Sequence, residues 1–319
     1  MRLAELDTAA VAARLRGDGL VIDFGLARAR VRSELDTIAP MLQKTYGAFP
    51  ASEPEGFDDM SVALVRPRGL RGYFQRQIEF LCDGVLPFEP FPEDTPLPLL
   101  EWGMNWCVAQ RRNHHLLLHA GTVEKDGVAV ILPAVPGAGK STLVAAMMHR
   151  GYRLLSDEFG AVDLVTHRIV PSVRPIALKN ESVDVIRGFA ATAVIGPIFP
   201  KTRKGDVGHC APTAPSVDAR TVTAAAGLVL FPKFELGAST EFEPTPKARA
   251  CAKMSANSFN YPILGPDAFR AVTSIIRSSR CYRLRYSDLN SAIAGIDAEI
   301  AAIAAERRTA LSRGDSKSR

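Results

Sequence analysis

The segment from Val128 to Arg150, VAVILPAVPGAGKSTLVAAMMHR, constrains the fold of this chain more than any other. An apolar run, Val128–Leu132, ends in a turn of small residues and is followed by a helix-forming run. The order is strand, glycine-bearing loop, helix, with Gly139-Lys140-Ser141 at the loop's end, as a phosphate-binding P-loop requires. Glycines let backbone N–H groups close around phosphate oxygens, and the helix N-terminus adds partial positive charge. Pro136, Gly137, Ala138, Gly139, Lys140, Ser141 and Thr142 are therefore the expected phosphate-contacting set. Lys140 would reach the β- and γ-phosphates, and the Ser141 hydroxyl would hold Mg²⁺. Ala134 replaces the first glycine of the usual pattern, and Pro136 stiffens the loop. Alanine costs little there where φ is negative.

Asp157 and Glu158 follow Lys140 by seventeen and eighteen residues, at the end of the β-type run YRLLS. A P-loop kinase needs one carboxylate to hold Mg²⁺ and can use another to take a proton from the attacking hydroxyl. Adjacent acids at a strand end can divide those roles; the alternative is a solvated acidic turn. His119 ends the strand LLLHAG just before a hairpin at Lys125-Asp126-Gly127, where Asp-Gly is a strong turn signal. The hairpin returns the chain beside that strand, so His119 is either a neighbour of the phosphates or a satisfied structural histidine. His114 and His115 read as strand-entry surface residues.

The bulk numbers exclude several classes. The chain has 319 residues, 47% hydrophobic and 23% charged, as in ordinary globular proteins, and no apolar run is long enough to span a bilayer. The N-terminus carries acids and no continuous apolar core, unlike a secretory signal. Five cysteines, Cys82, Cys107, Cys210, Cys251 and Cys281, are scattered without metal-ligand spacing. Such a set is expected of reduced thiols in a cytoplasmic protein. The net charge of +5 is dispersed except at Lys201, Arg203 and Lys204 and in the tail, so no nucleic-acid partner is expected.

Residues 1–100 read as a small α+β module, with strands at LVIDFG, ARVRS and MSVALVRP and a helix at SELDTIAPMLQKTYG. The proline-rich stretch 85–98 reads as an extended linker. LLEWGMNWCVAQRRN has helical spacing and puts Trp102 and Trp106 on one face, as an anchor for the next domain or, less simply, a stacking site. Residues 101–305 then form the nucleotide domain, with strands at 227–235 and 281–288 and a last helix capped at Ser287 or Asp288. Residues 306–319 are expected to be a flexible tail.

Taken together, HAGTVEKDGVAVILPAVPGAGKST and RGYRLLSDEFGAVD resemble the core of the HPr kinase/phosphorylase family, over about forty-five residues. PSVRPIALKNES (171–182) is similar to a segment of the HPr-kinase-related A branch. The resemblance implies an α/β fold, a P-loop kinase core of the HPr kinase/phosphoenolpyruvate carboxykinase type. It also implies ATP and Mg²⁺ as cofactors, phosphoryl transfer to a serine of a small protein or peptide, and a homo-oligomer. The family's proton acceptor stands second in the acidic pair, at Glu158 here, with Asp157 sharing or taking the role. Glu181 is carried over as a second metal carboxylate, with Ser141 and Asp157, and Lys179 as a phosphate contact. The loop 201–206, KTRKGD, is either a lid over the triphosphate or a solvated loop.

Overall fold

The computed structural model describes residues 1–51, 56–68, 76–135 and 137–315, with side chains to residue 309. The chain forms two units, residues 1–112 with 172–221, and residues 113–171 with 222 onward. The first unit opens with α1 (Thr8–Arg16), β1 (Leu20–Asp23), β2 (Arg28–Ser33), α2 (Ile38–Thr45), β3 (Met60–Val65), β4 (Gln77–Cys82), β5 (Phe91–Pro92) and α3 (Pro96–Arg111). The second unit then supplies β6 (His115–Lys125), β7 (Val128–Pro133), α4 (Lys140–His149), β8 (Arg153–Ser156), β9 (Phe159–Asp163) and β10 (Ile169–Val170). The chain returns to the first unit for β11 (Ile176–Lys179), α5 (Ser182–Phe189), β12 (Phe199–Thr202), β13 (Gly205–Cys210) and α6 (Ala214–Asp218). It finishes the second with β14 (Ala226–Phe234), β15 (Glu241–Pro244), α7 (Lys247–Ala256), α8 (Tyr261–Leu264), α9 (Pro266–Ser278), β16 (Arg280–Tyr286) and α10 (Leu289–Asp315).

In the first unit β1 to β5 pair in sequence order, with β2 and β3 parallel and the other neighbours antiparallel. β3 and β4 alternate buried and half-buried residues, the pattern of strands with one face on a core. A separate antiparallel sheet runs β11-β13-β12. The expected boundary at residue 100 falls inside α3, and residues 172–221, expected in the nucleotide domain, belong to this unit. The reason is a buried polar knot. Arg174 sits 3.4 Å from the Glu101 carboxylate, bonds the Asn105 side chain and lies over the Phe24 ring at 5.4 Å. The Tyr46 hydroxyl donates to Glu101. A buried guanidinium needs these partners, so the later segment cannot leave the helix that supplies them.

The two tryptophans pack on rings of this same unit. Phe88 stacks on Trp102 at 5.9 Å and meets Trp106 edge-on at 5.7 Å, and Phe91 meets Trp102 edge-on at 5.4 Å. Lys204 and Arg203 lie over Trp102 and Phe91, each at 5.4 Å from the ring centroid, so the basic loop rests on aromatic rings of the first unit.

The second unit is built on a mixed sheet in the order β10-β9-β6-β7-β14-β16-β15, with β8 also on β6. β14 runs parallel to both β7 and β16, and β6 and β7 form the antiparallel hairpin. Asp126 and Gly127 both take positive φ, 53° and 76°, as the two-residue turn demands. α7 and α9 pack on one face, burying Ala250, Met254, Ala271, Val272 and Ile275 against Leu116, Leu118, Ile131 and Val229. α4 packs on β6 and β8, and α10 on β7, β14 and β16. α4 is buried at every position from Leu143 to Met148. Residues 306–315, expected as tail, continue α10; residues 316–319 lie outside the described residues. Among the described residues no helix is long and apolar enough to cross a membrane.

His209 of β13 is fully buried, and burial, aided by the Arg174 charge, pushes its pKa down to about 4. Its neutral form is therefore favoured by folding, while the unfolded chain takes a proton near pH 6.5. This contribution is complete above pH 6.5 and is lost as pH falls from 6.5 to 4, amounting to about 3 kcal/mol at pH 4. Unfolding followed against pH should show the wild-type protein losing stability through that window more steeply than His209→Gln. Parallel curves would contradict the buried, neutral histidine.

Candidate functional site

The site is assembled along β6. Residues His115–His119 pair with β9 and Thr122–Glu124 pair with β8, both antiparallel. Residues 153–163 therefore run beside β6 as two strands separated by Asp157-Glu158, and the register shifts at Leu155, between the Thr122–Ser156 and Val123–Leu154 pairs. In an unbroken strand these neighbours would point to opposite faces. Between the two strands Asp157 lies beside Lys140 and Ser141, and Glu158 beside His119. The Ser156 hydroxyl fixes the turn by accepting the Phe159 N–H at 3.1 Å. The acids follow the end of the strand Arg153–Ser156, as its sequence suggests, and a further strand, Phe159–Asp163, begins directly after them.

Asp157 turns inward and is 9% exposed, as is Lys140. Its Oδ2 accepts the Ser141 hydroxyl at 2.8 Å. Lys140 Nζ bonds the Asp157 backbone carbonyl and lies 3.4 Å from Oδ1. One residue thus holds both the ammonium of Lys140 and the hydroxyl of Ser141. Glu158 stays half exposed, with Oε1 3.8 Å from Nε2 of His119. His119 is itself held: its N–H donates to the Asn257 carbonyl at 2.6 Å, and its ring packs on Phe259 at 5.4 Å. Asn260, buried, extends this clamp, accepting the Leu117 N–H at 3.0 Å and donating to the His115 carbonyl at 2.8 Å. His119 accordingly belongs with the acidic pair rather than in a closed core.

The loop backbone is shaped by two strand ends far along the chain. Gly137 and Gly139 have φ of 85° and 84°, a region glycine enters without strain. Phe234 N–H, at the end of β14, donates to the Ala138 carbonyl at 3.1 Å, and the Tyr286 hydroxyl, at the end of β16, donates to the Gly139 carbonyl at 3.2 Å. These bonds fix the loop at the N-terminus of α4, where partial positive charge favours an anion. Burial pushes the Tyr286 hydroxyl well above its ordinary pKa, so it remains a donor. Ser141 and Thr142 occupy the first turn of α4, half-buried, and Ala138 is half-buried beside them. Pro136 lies outside the described residues. Phe234, Tyr286 and Asn260 were missed by sequence reasoning because each acts through backbone groups more than ninety residues away.

Of the other expected residues, Glu181 stands at the N-cap position of α5 and Lys179 is exposed on β11 opposite Val207; both belong to the first unit. Among the described residues no cluster of three or more His, Cys, Asp or Glu side chains could hold a metal. The hard oxygens beside the loop are those of Ser141 and Asp157.

Gly121 of β6 makes the close approach of α4 possible. A β-carbon there would lie 2.5 Å from Val144 Cγ2 and 3.3 Å from Lys140 Cγ. Gly121→Ala should lower stability by about 1–3 kcal/mol, read from urea unfolding. An unchanged midpoint would contradict this packing.

No family model matches the chain. It is 32% identical over 82 residues to the tRNA modification GTPase MnmE of Rhizobium etli (strain CIAT 652), covering 24% of this chain and 19% of that protein. The matched part thus spans about a fifth of the relative's length. Alongside the strand–loop–helix and the Lys140, Ser141 and Asp157 contacts, the likeness supports a nucleotide site of the P-loop NTPase type in a mixed α/β fold, without separating ATP from GTP.

Proposed function

We propose that the chain is a nucleotide-dependent phosphotransferase of the HPr kinase type, moving the terminal phosphoryl group of a Mg²⁺-bound nucleoside triphosphate to a hydroxyl, preferably a serine of a small protein or peptide. One observation carries the reading: at the break between β8 and β9 beside the loop, Asp157 engages Lys140 and Ser141 while Glu158 stays solvent-accessible beside His119. A magnesium-holding carboxylate and a proton-accepting carboxylate need those two different environments.

Hydroxyl and carboxylate oxygens suit a hard cation, so Ser141 and Asp157 would hold magnesium, which would neutralise charge on the phosphates. Lys140 would exchange its contact with Asp157 for the β- and γ-phosphate oxygens. The N–H groups at the start of α4 would bind phosphate oxygens. Glu158 would take the proton of the acceptor hydroxyl as its oxygen bonds phosphorus and the nucleoside diphosphate leaves. His119 would orient the Glu158 carboxylate. ATP is the nucleotide expected from the family resemblance.

A second reading is a nucleotide hydrolase or switch without an acceptor, favoured by the likeness to a GTPase. There Glu158 would orient a water molecule. Transfer of labelled phosphate from ATP or GTP to small proteins, peptides and metabolites separates these readings. Lys140→Ala should abolish transfer. Glu158→Gln should slow it by about 10²–10⁴-fold while nucleotide affinity changes little. Binding with hydrolysis but no acceptor would favour the second reading, and wild-type transfer by Glu158→Gln would remove Glu158 as the base.

A further inference from the structure

We propose that Cys82 and Cys107 are an oxidation site of the first unit, closing to a disulfide when the protein meets a peroxide. Their sulfurs lie 2.9 Å apart, less than about 1 Å beyond the bonded distance of about 2.05 Å. Cys82 ends β4 and Cys107 stands on α3, and the strand and helix pack on each other, so secondary structure on both sides holds the sulfurs in contact. The thiol of Cys107 donates to the sulfur of Cys82. The other buried cysteines differ: Cys210 and Cys281 direct their thiols at the carbonyls of Ala211 and Ser279, at 3.8 Å and 3.7 Å.

Access comes from the turn after β4. Cys82 is 2% exposed and Cys107 is 0% exposed, but Asp83, Gly84 and Val85 are open to solvent. The turn is closed by reciprocal bonds between Cys82 and Val85, and Asp83 is paired with Arg111 of α3. A water-sized oxidant needs only this short turn to open. Burial and the facing sulfur push the Cys107 pKa up, so Cys82, nearer the turn, is the sulfur that reacts first.

The step balances with hydrogen peroxide as oxidant. Cys82, giving up its thiol proton, attacks one peroxide oxygen; the O–O bond breaks, one water leaves and a sulfenic acid remains. The sulfur of Cys107 then attacks that of Cys82, the S–O bond breaks and a second water carries off the Cys107 proton. The two sulfurs lose two electrons in all, and the peroxide gains them. With the second sulfur already in contact, ring closure precedes further oxidation of Cys82.

The bond would tie β4 to α3 across residues 83–106 and restrict the unfolded chain, so the oxidised protein should melt at a higher temperature. The test uses the full chain with Cys251→Ser, which removes the half-exposed thiol. After hydrogen peroxide, denaturation and alkylation, the intact mass should show two cysteines protected and two hydrogen atoms lost. Peptide mapping should join the peptides of Cys82 and Cys107, and dithiothreitol should reverse the change. Cys107→Ser should abolish the cross-link and leave Cys82 open to sulfinic acid formation. Full alkylation of both cysteines after peroxide, or sulfinic acid at Cys82 with Cys107 present, would overturn the proposal. Lys140→Ala should form the bond normally, which separates this outcome from that of nucleotide binding.

Discussion

The hold of Asp157 on Lys140 and Ser141 is the contact on which the candidate site depends. A lysine ammonium that is 9% exposed is costly without a partner, and Asp157 supplies both its carbonyl and its carboxylate. The same carboxylate orients the serine hydroxyl. Asp157 and Glu158 make these contacts from the break between β8 and β9, outside the paired residues of both strands. Gly121, at that break, leaves the volume in which the Lys140 stem lies. Strand break, glycine and buried ion pair therefore meet at one place, with Glu158 half-exposed beside His119.

Much of this was legible in local sequence. The hairpin at Asp126-Gly127, the glycine loop, the buried helix after it and the cap at Asp288, whose Oδ1 accepts the Ser291 N–H at 2.7 Å, all rest on interactions within a few residues. Such contacts leave their mark on composition and spacing. β16 was expected from its sequence and lies between β14 and β15, burying Cys281, Leu284 and Tyr286.

What escaped sequence reasoning depends on distant partners. Nothing around Phe234 or Tyr286 announces that these groups bond loop carbonyls, and nothing around Asn260 announces a clamp on β6. The placement of residues 172–221 in the first unit is of the same kind: it turns on Arg174 finding Glu101 and Asn105, a pairing without sequence periodicity. The basic loop was noticed for its charge, yet its charges rest on the aromatic rings of Phe91 and Trp102, which only the fold brings near.

The interleaved path of the chain has a consequence for synthesis. Arg174 and His209, buried parts of the first unit, emerge only after the whole stretch that carries the glycine loop. The first unit therefore cannot close on the ribosome when its opening 112 residues appear; Glu101 must wait for its guanidinium. The second unit waits as well, since β14 and β16 complete its sheet from beyond residue 221. Vectorial folding, one module finished before the next begins, is denied to this architecture, and the nascent chain must keep two half-built cores apart until the later segments arrive.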